Sequence, residues 1–374
     1  MSGAAPLPPH PAIPPDIASL ADYERHAPRH MSAESWRHLQ DGWEEGLGPH
    51  GTRAAFDRLR LVPRMLADLR GGSTRISLFG RDHAAPVLLA PIAYQRIAHA
   101  EGELAAVRAA MALDTGMVVS TLSSVPLEEI AEAGRQAARE LGKSAPAALW
   151  FQLYLQEDRA ASEELLQRAE AAGYEAIVVT VDASIKRSGF VLPPGVDAAN
   201  LRGMARRIQT TTPTGGILFG TPLADAAPRW EDIAWLRSAT SLPLIVKGIL
   251  SPEDAVLAVE RGVDGLIVSN HGGRVLEGLA SPVEVLPGIV KAVGGQVPLL
   301  LDSGVRSGAD IVRSLALGAD AVLLGRPYMH ALAVAGMIGV AHALHLLRAE
   351  LELAMAQIGC ASLAEIGADR IFFQ

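Results

Sequence analysis

Asp182, His271 and Arg274 are residue types that could share one reaction. A carboxylate beside a histidine orients the imidazole and stabilises its cationic form, which suits a general base. An arginine three positions after that histidine can clamp a carboxylate through two hydrogen bonds. His271 sits in the run Ser269-Asn270-His271-Gly272-Gly273-Arg274. Lys247 has two readings, a Schiff-base nucleophile or a cation that neutralises an anionic ring system. Gly304 and Gly325 permit close approach of main chain to an anion, and Arg306 and Arg326 can add charge-assisted hydrogen bonds to it. Together these residues specify a phosphate-bearing cofactor, a base and an anion clamp.

The elements that must carry them recur with a regular rhythm. Short apolar runs occupy Val87 to Ala90, Met117 to Ser120, Leu149 to Leu153 and Ala176 to Val181. They continue as Pro243 to Lys247, Gly265 to Ser269, Pro298 to Leu301 and Ala321 to Leu324. Most are continuous rather than alternating, as in strands buried on both faces. Helical segments such as Glu101 to Leu113, Leu127 to Leu141 and Pro252 to Arg261 separate them. Strand–helix alternation implies parallel βαβ units, and eight such units predict an α/β fold of the (β/α)8 TIM-barrel type. In such barrels chemistry sits at the C-terminal strand ends, with phosphate after strands seven and eight. Read in order, those ends carry Pro91-Ile92-Ala93, Ser120, Gln152 with Tyr154, Thr180 with Asp182, Lys247, the Ser269 to Arg274 run, Asp302 to Arg306, and Gly325-Arg326.

About sixty residues separate the fourth and fifth runs, a length that predicts a lid or binding loop inserted at about 183–230. It includes the stretch Thr210 to Gly216. Residues 1–16 contain six prolines and no apolar period, and are expected to be a disordered leader before a single domain over 17–374.

Composition narrows the function classes. The chain has 374 residues, 33 basic against 41 acidic side chains and a net charge of −8. Mild acidity gives no basic stripe for nucleic acid. The lone Cys360 excludes an internal disulfide and a thiolate metal cage. The most apolar helical stretch, Ala331 to Leu347, is interrupted by Gly336, Gly339, His342 and His345, and reads as a core-facing helix. With no secretory signal pattern, the expectation is a cytoplasmic protein without a membrane partner.

The chain resembles the FMN-dependent 2-hydroxy acid oxidases and dehydrogenases, a family that includes glycolate, lactate and mandelate oxidases. The matching stretches are APIAYQRIAHAEGE from Ala90, FQLY from Phe151, TVD from Thr180, LPLIVKG from Leu242, SNHGGR from Ser269, DSGVRSGAD from Asp302 and LGRP from Leu324. Coverage runs from roughly Tyr23 to the C-terminus, and SNHGGR with the correctly spaced VKG and DSGVR is highly specific. The resemblance implies FMN across the barrel mouth, against Pro91, Ile92 and Ala93. Ser120, Gln152 and Thr180 would bond its ring, with Ser269 also among the cofactor contacts and Lys247 near N1 and C2=O. Asp302, Gly304, Arg306, Gly325 and Arg326 would hold the ribityl chain and phosphate. It further implies His271 as base paired to Asp182, Tyr154 on the substrate oxygen and Arg274 on its carboxylate. The implied reaction takes an L-2-hydroxy acid to a 2-oxo acid, and a tetramer or octamer is expected.

Three positions depart from the family pattern. Aligned on Gly42, the position of an active-site tyrosine holds His38. The second substrate arginine has no positional match, with Arg187 or Lys186 as stand-ins. Leu122 occupies a site where some members carry tryptophan. Loss of a buried charge-assisted contact costs about 1.5–3 kcal/mol, enough to retune substrate choice. These departures predict a bulky or aromatic 2-hydroxy acid rather than glycolate, or a substrate whose oxidised carbon bears no carboxylate. From the resemblance, Ala93 beside the flavin edge favours O2 as acceptor, giving hydrogen peroxide, over a quinone or another acceptor. The competing readings are an FMN barrel that isomerises, a dehydrogenase of a non-carboxylate alcohol or amine, and a flavin-binding protein without turnover. His26 and His30 form at most half a metal site, so no metal is expected. Glu128-Glu129 and Glu163-Glu164 read as exposed helix faces.

Overall fold

A computed structural model describes residues 5–40, 49–183, 190–204, 218–225 and 227–373. Eight parallel strands close into a barrel: β1 (Val87–Leu89), β2 (Gly116–Ser120), β3 (Leu149–Leu153), β4 (Ala176–Thr180), β5 (Leu244–Ile249), β6 (Gly265–Val268), β7 (Leu299–Asp302) and β8 (Ala321–Leu324). The seam is β8 on β1, with Val322 opposite Val87. The predicted TIM barrel is therefore the observed fold, and its strands fall where the apolar runs stand.

Each strand is buried on both faces, which explains the lack of alternation in sequence. Leu88, Val118, Trp150, Val178, Ile245, Ile267, Leu300 and Leu323 pack together as one cluster. Their neighbours Leu89, Val119, Phe151, Val179, Leu266 and Leu301 belong to a second, larger cluster shared with the helices. A hairpin of residues 76–78 and 81–83 adds Leu78 to the first cluster. Its Phe79 meets Trp150 edge-on, with ring centroids 5.4 Å apart.

Helix starts follow side-chain chemistry. Asp158, Ser251 and Ser307 each accept a first-turn N–H, and Glu284 accepts the N–H of Ser281, satisfying donors that the helix itself cannot. The helix Arg326–Gln357 is long and apolar enough to cross a membrane by length and composition, but 67% of its apolar window is buried inside the protein. It is kinked at Ala335 and Gly336, and serves as the core-facing helix expected there.

The N-terminal segment is ordered further out than its prolines suggest. The expected disordered leader covers residues 1–16, and among the described residues 5–16 Leu7 N–H bonds Arg29 C=O and His10 N–H bonds Val334 C=O. The His30 ring bonds Pro8 C=O at 3.0 Å and meets the His10 ring edge-on. Proline-rich chain has few donors to satisfy, so these contacts suffice to lay it along the body. His26 bonds Asp16. Glu128 is not a plain solvated face either, since Arg168 bonds it through two nitrogens. Farther on, Leu59–Leu61 pairs antiparallel with Ile371–Phe373, joining the entry to the barrel with the far end of the chain.

Candidate active site

The C-terminal strand ends converge on one cavity. Pro91, Ile92, Ala93, Ser120, Tyr154, Lys247, His271, Arg274, Asp302, Gly304, Arg306, Gly325 and Arg326 all line it, as do His38 and Leu122. Gln152, Thr180 and Ser269 lie behind the lining, nearly or fully buried. Arg187, Lys186 and the stretch 210–216 lie outside the described residues.

His271 Nδ1 is 2.8 Å from Asp182 Oδ1. The bond to an ionised carboxylate places the proton on Nδ1 and leaves Nε2 as the acceptor. His271 takes a left-handed backbone, φ 57°, a conformation found at functional sites where surroundings enforce it. The enforcement is visible: its N–H bonds Ser269 Oγ, Gly272 N–H bonds Ser303 Oγ, and Gly273 N–H bonds Asn270 Oδ1. Gly248, beside Lys247, explains how Asp182 reaches its place. A Cβ there would stand 2.6 Å from Asp182 Cβ and Cγ, at φ +112°.

Lys247 Nζ lies 2.8 Å from Asp302 Oδ2 and 2.9 Å from Ser269 Oγ. Ser269 Oγ in turn donates to Asp302 Oδ2 at 2.6 Å. Burial works against the Lys247 ammonium, but the carboxylates of Asp302 and Asp182 outweigh it and hold its pKa above the ordinary value. A lysine kept cationic suits the neutralising reading better than the nucleophilic one. Ser269 thus braces Lys247 from behind rather than facing the cavity. Burial, together with the nearby Asp182 charge, raises the Tyr154 phenol above its ordinary value, so it remains a donor.

The other end of the cavity is cationic. Burial, with Arg274 and Arg306 close by, pushes the Arg326 guanidinium down to about 9. Arg306 is lowered too, chiefly by burial. Cations that repel each other across a buried site fit a phosphate and a carboxylate placed between them. Gly325 leads into the helix Arg326–Gln357, and a Cβ there would meet nothing closer than 3.9 Å, so its surface faces the cavity at a helix start suited to phosphate. Gly304 differs. Its φ is +90°, and a Cβ would strike Thr52 and Phe56 at 2.7 and 2.8 Å, so packing against the helix Pro49–Asp57 requires the glycine. Deeper in, Gln152 Oε1 accepts from Ser120 Oγ at 3.1 Å, while its buried Nε2 has no hydrogen-bond partner among the described residues. A buried donor beside the cavity floor fits the polar edge of a flavin ring.

Several contributors were not singled out by sequence. Phe190, from the inserted segment, lies parallel to His38, with centroids 3.9 Å apart and planes at 8°. Asn200 pins that segment to the barrel rim by bonding Ser123 Oγ, Thr121 C=O and the N–H of Leu127. Tyr94, at φ 55°, lines the cavity beside Ala93. Glu103, fully buried, accepts from the N–H groups of Gln95 and Ser124, tying the loop after β1 to the loop after β2. Of these, only Tyr94 and Glu103 stood inside a recognised stretch.

The sequence profile of the FMN-dependent dehydrogenases matches residues 27–372. The chain belongs to this family. It is an FMN-dependent oxidoreductase, and the donors just described are those available to the flavin. Relatives include an L-lactate oxidase from Alicycliphilus denitrificans, 46% identical over 96% of this chain and 97% of that protein. A 4-hydroxymandelate oxidase from Amycolatopsis orientalis is 43% identical over 94% of this chain and 96% of its own length. The human 2-hydroxyacid oxidase 1 is 39% identical over 92% and 94%. Among solved structures, a mandelate oxidase with (S)-2-phenylpropionate superposes with TM-score 0.83 at 41% identity, covering 96% of this chain and 98% of that one. These family members are 2-hydroxy acid oxidases.

Proposed function

We propose that this FMN enzyme oxidises a bulky, aromatic L-2-hydroxy acid to the 2-oxo acid and delivers the electrons to O2. The observation that carries the reading is the parallel His38–Phe190 pair, which puts a flat aromatic wall in the cavity that holds His271 and Arg274. Leu122 on the same lining leaves more room than a tryptophan would.

The chain's own residues divide the work. Arg274 takes the substrate carboxylate, its fork aimed by bonds to the carbonyls of His38 and Leu39. Tyr154 donates to a substrate oxygen. His271 Nε2 accepts one proton as the C–H and O–H bonds give way to C=O, the second hydrogen and the two electrons pass to the acceptor, and Asp182 stabilises the resulting imidazolium. FMN, when bound, supplies the two-electron acceptor, and Lys247 provides a fixed positive charge for the reduced ring. Two electrons and two protons then convert O2 to hydrogen peroxide.

A second reading is oxidation of L-lactate, favoured by the 46% identity to an L-lactate oxidase. Steady-state oxygen uptake and peroxide release on glycolate, L-lactate, L-mandelate and L-phenyllactate separate the two. Highest kcat/KM on an aromatic acid is expected. Highest efficiency on lactate establishes the second reading, and highest efficiency on glycolate overturns both. Reduced enzyme that ignores oxygen yet rapidly reduces a dye overturns the choice of acceptor.

A further inference from the structure

The helix Ala33–Gln40 lends main-chain carbonyls to both ends of the site. His38 C=O accepts from Arg274 Nη2 at 2.7 Å. Leu39 C=O accepts from Arg326 Nε at 3.0 Å and from Arg274 Nη1 at 3.3 Å. One carbonyl therefore touches the arginine assigned to the substrate carboxylate and the arginine at the phosphate end. A guanidinium is aimed only as well as its acceptors are fixed.

A side-chain contact fixes this turn. Gln40 Nε2 lies 2.9 Å from His330 Nε2, and the Trp36 and His330 rings meet with centroids 5.3 Å apart. His330 is fully buried and stands four residues after Arg326, on the same helix face. Burial and the charges of Arg306 and Arg326 hold its pKa well below the ordinary histidine value, so the imidazole is neutral and can share a hydrogen bond with the Gln40 amide. It does not line the cavity.

We propose that His330 is a positioning residue that sets both arginines at once: by holding Gln40 and Trp36 it fixes the carbonyls of His38 and Leu39, and so couples the grip on the FMN phosphate to the grip on the substrate carboxylate. The substrate half rests on the reading of Arg274 given above, while the flavin half does not. Coupling of this kind is reciprocal, because each ligand pays less to order a turn the other has already ordered.

The test compares His330→Leu and Gln40→Leu with the wild-type holoenzyme. Flavin Kd is read from FMN fluorescence on release and rebinding, and KM and kcat from the best acid of the panel. Each variant is expected to raise flavin Kd and KM by roughly fivefold to tenfold, the worth of about one hydrogen bond, with kcat within about twofold. The double variant is expected to be no worse than the more damaging single, since Gln40 acts through His330. Unchanged flavin Kd in Gln40→Leu overturns the proposal whatever the substrate does. Raised flavin Kd with unchanged KM overturns the coupling. If the wild type oxidises no 2-hydroxy acid, the reading of Arg274 fails and the flavin Kd still decides the positioning role. Should His330→Leu not fold, Gln40→Leu, at a half-buried position, carries the test alone.

Discussion

His38 and Phe190 lie ring over ring, 3.9 Å apart and 8° from parallel. One comes from the N-terminal helical segment and the other from the insertion after β4, so two excursions from the barrel meet above its mouth. Removing half of the stack changes the wall without touching the base. Phe190→Ala is expected to lower kcat/KM on L-mandelate by about tenfold, given aromatic pair energies of roughly 0.5–1.5 kcal/mol beyond area burial. On L-lactate the change should stay within about threefold. Steady-state kinetics on the two acids checks this, and equal losses on both would remove the wall from the account of specificity.

Asp182→Asn keeps the shape that Gly248 accommodates but removes the charge. An amide can turn its N–H toward His271 Nδ1 and force the proton onto Nε2, disabling the base. A fall in kcat of about 10²–10⁴ is expected, with FMN content by absorbance unchanged. Flavin loss in this variant would show that Asp182 serves the cofactor site instead.

The pKa directions at the cavity floor predict that neither Lys247 nor Tyr154 puts a break in the alkaline pH profile. The Lys247 pKa lies above its ordinary value, where the carboxylates of Asp302 and Asp182 outweigh burial, and the Tyr154 pKa is raised by burial and then by Asp182. Both therefore stay protonated as pH climbs to about 10, their ordinary range. Tyr154→Phe is expected to lower kcat/KM by about 10–100-fold while leaving the shape of the pH profile between about 8 and 10 unchanged. A break in that interval that vanishes in the variant would assign it to the phenol.

Stability has its own pH dependence, set far from the chemistry. His83 is 1% exposed, and neither ring nitrogen has a partner among the described residues. Burial, then the neighbouring Arg81, brings its pKa to about 4. The unfolded chain takes up a proton near pH 6.5 that the folded one refuses until about pH 4, so stability falls as pH drops through that window. One such group contributes a slope of up to about 1.4 kcal/mol per pH unit. Urea titrations of wild type and His83→Leu between about pH 4.5 and 7 should show the slope reduced by up to that amount in the variant. Parallel curves would mean that His83 is not neutral in the fold.

The barrel and the His271–Asp182 pair were legible because both are written in residue types. Apolar runs at regular spacing gave the strands, and SNHGGR, VKG and DSGVR marked their ends. The carbonyls of His38 and Leu39 were not legible, since main chain carries no residue code and the partners lie more than two hundred positions away. Phe190 and Asn200 sit in an interval without periodicity, so no element placed them beforehand. Gly304 was read for the close approach of an anion, whereas its conformation and the side chains of Thr52 and Phe56 already demand a glycine. For the proline-rich leader, composition reports what a segment can bury, not which donors and acceptors it meets.

The pairing of Leu59–Leu61 with Ile371–Phe373 bears on how the enzyme is made. The strand 371–373 leaves the ribosome after all eight barrel strands, yet it fastens the segment that leads back to His38. Gln40, Thr52 and Arg53 of the N-terminal helices also bond His330, Asn270 and Asp310, so this strand adds one more tie to a segment the barrel already holds. That tie is made only after every residue that lines the cavity, the last being Arg326, has been synthesised.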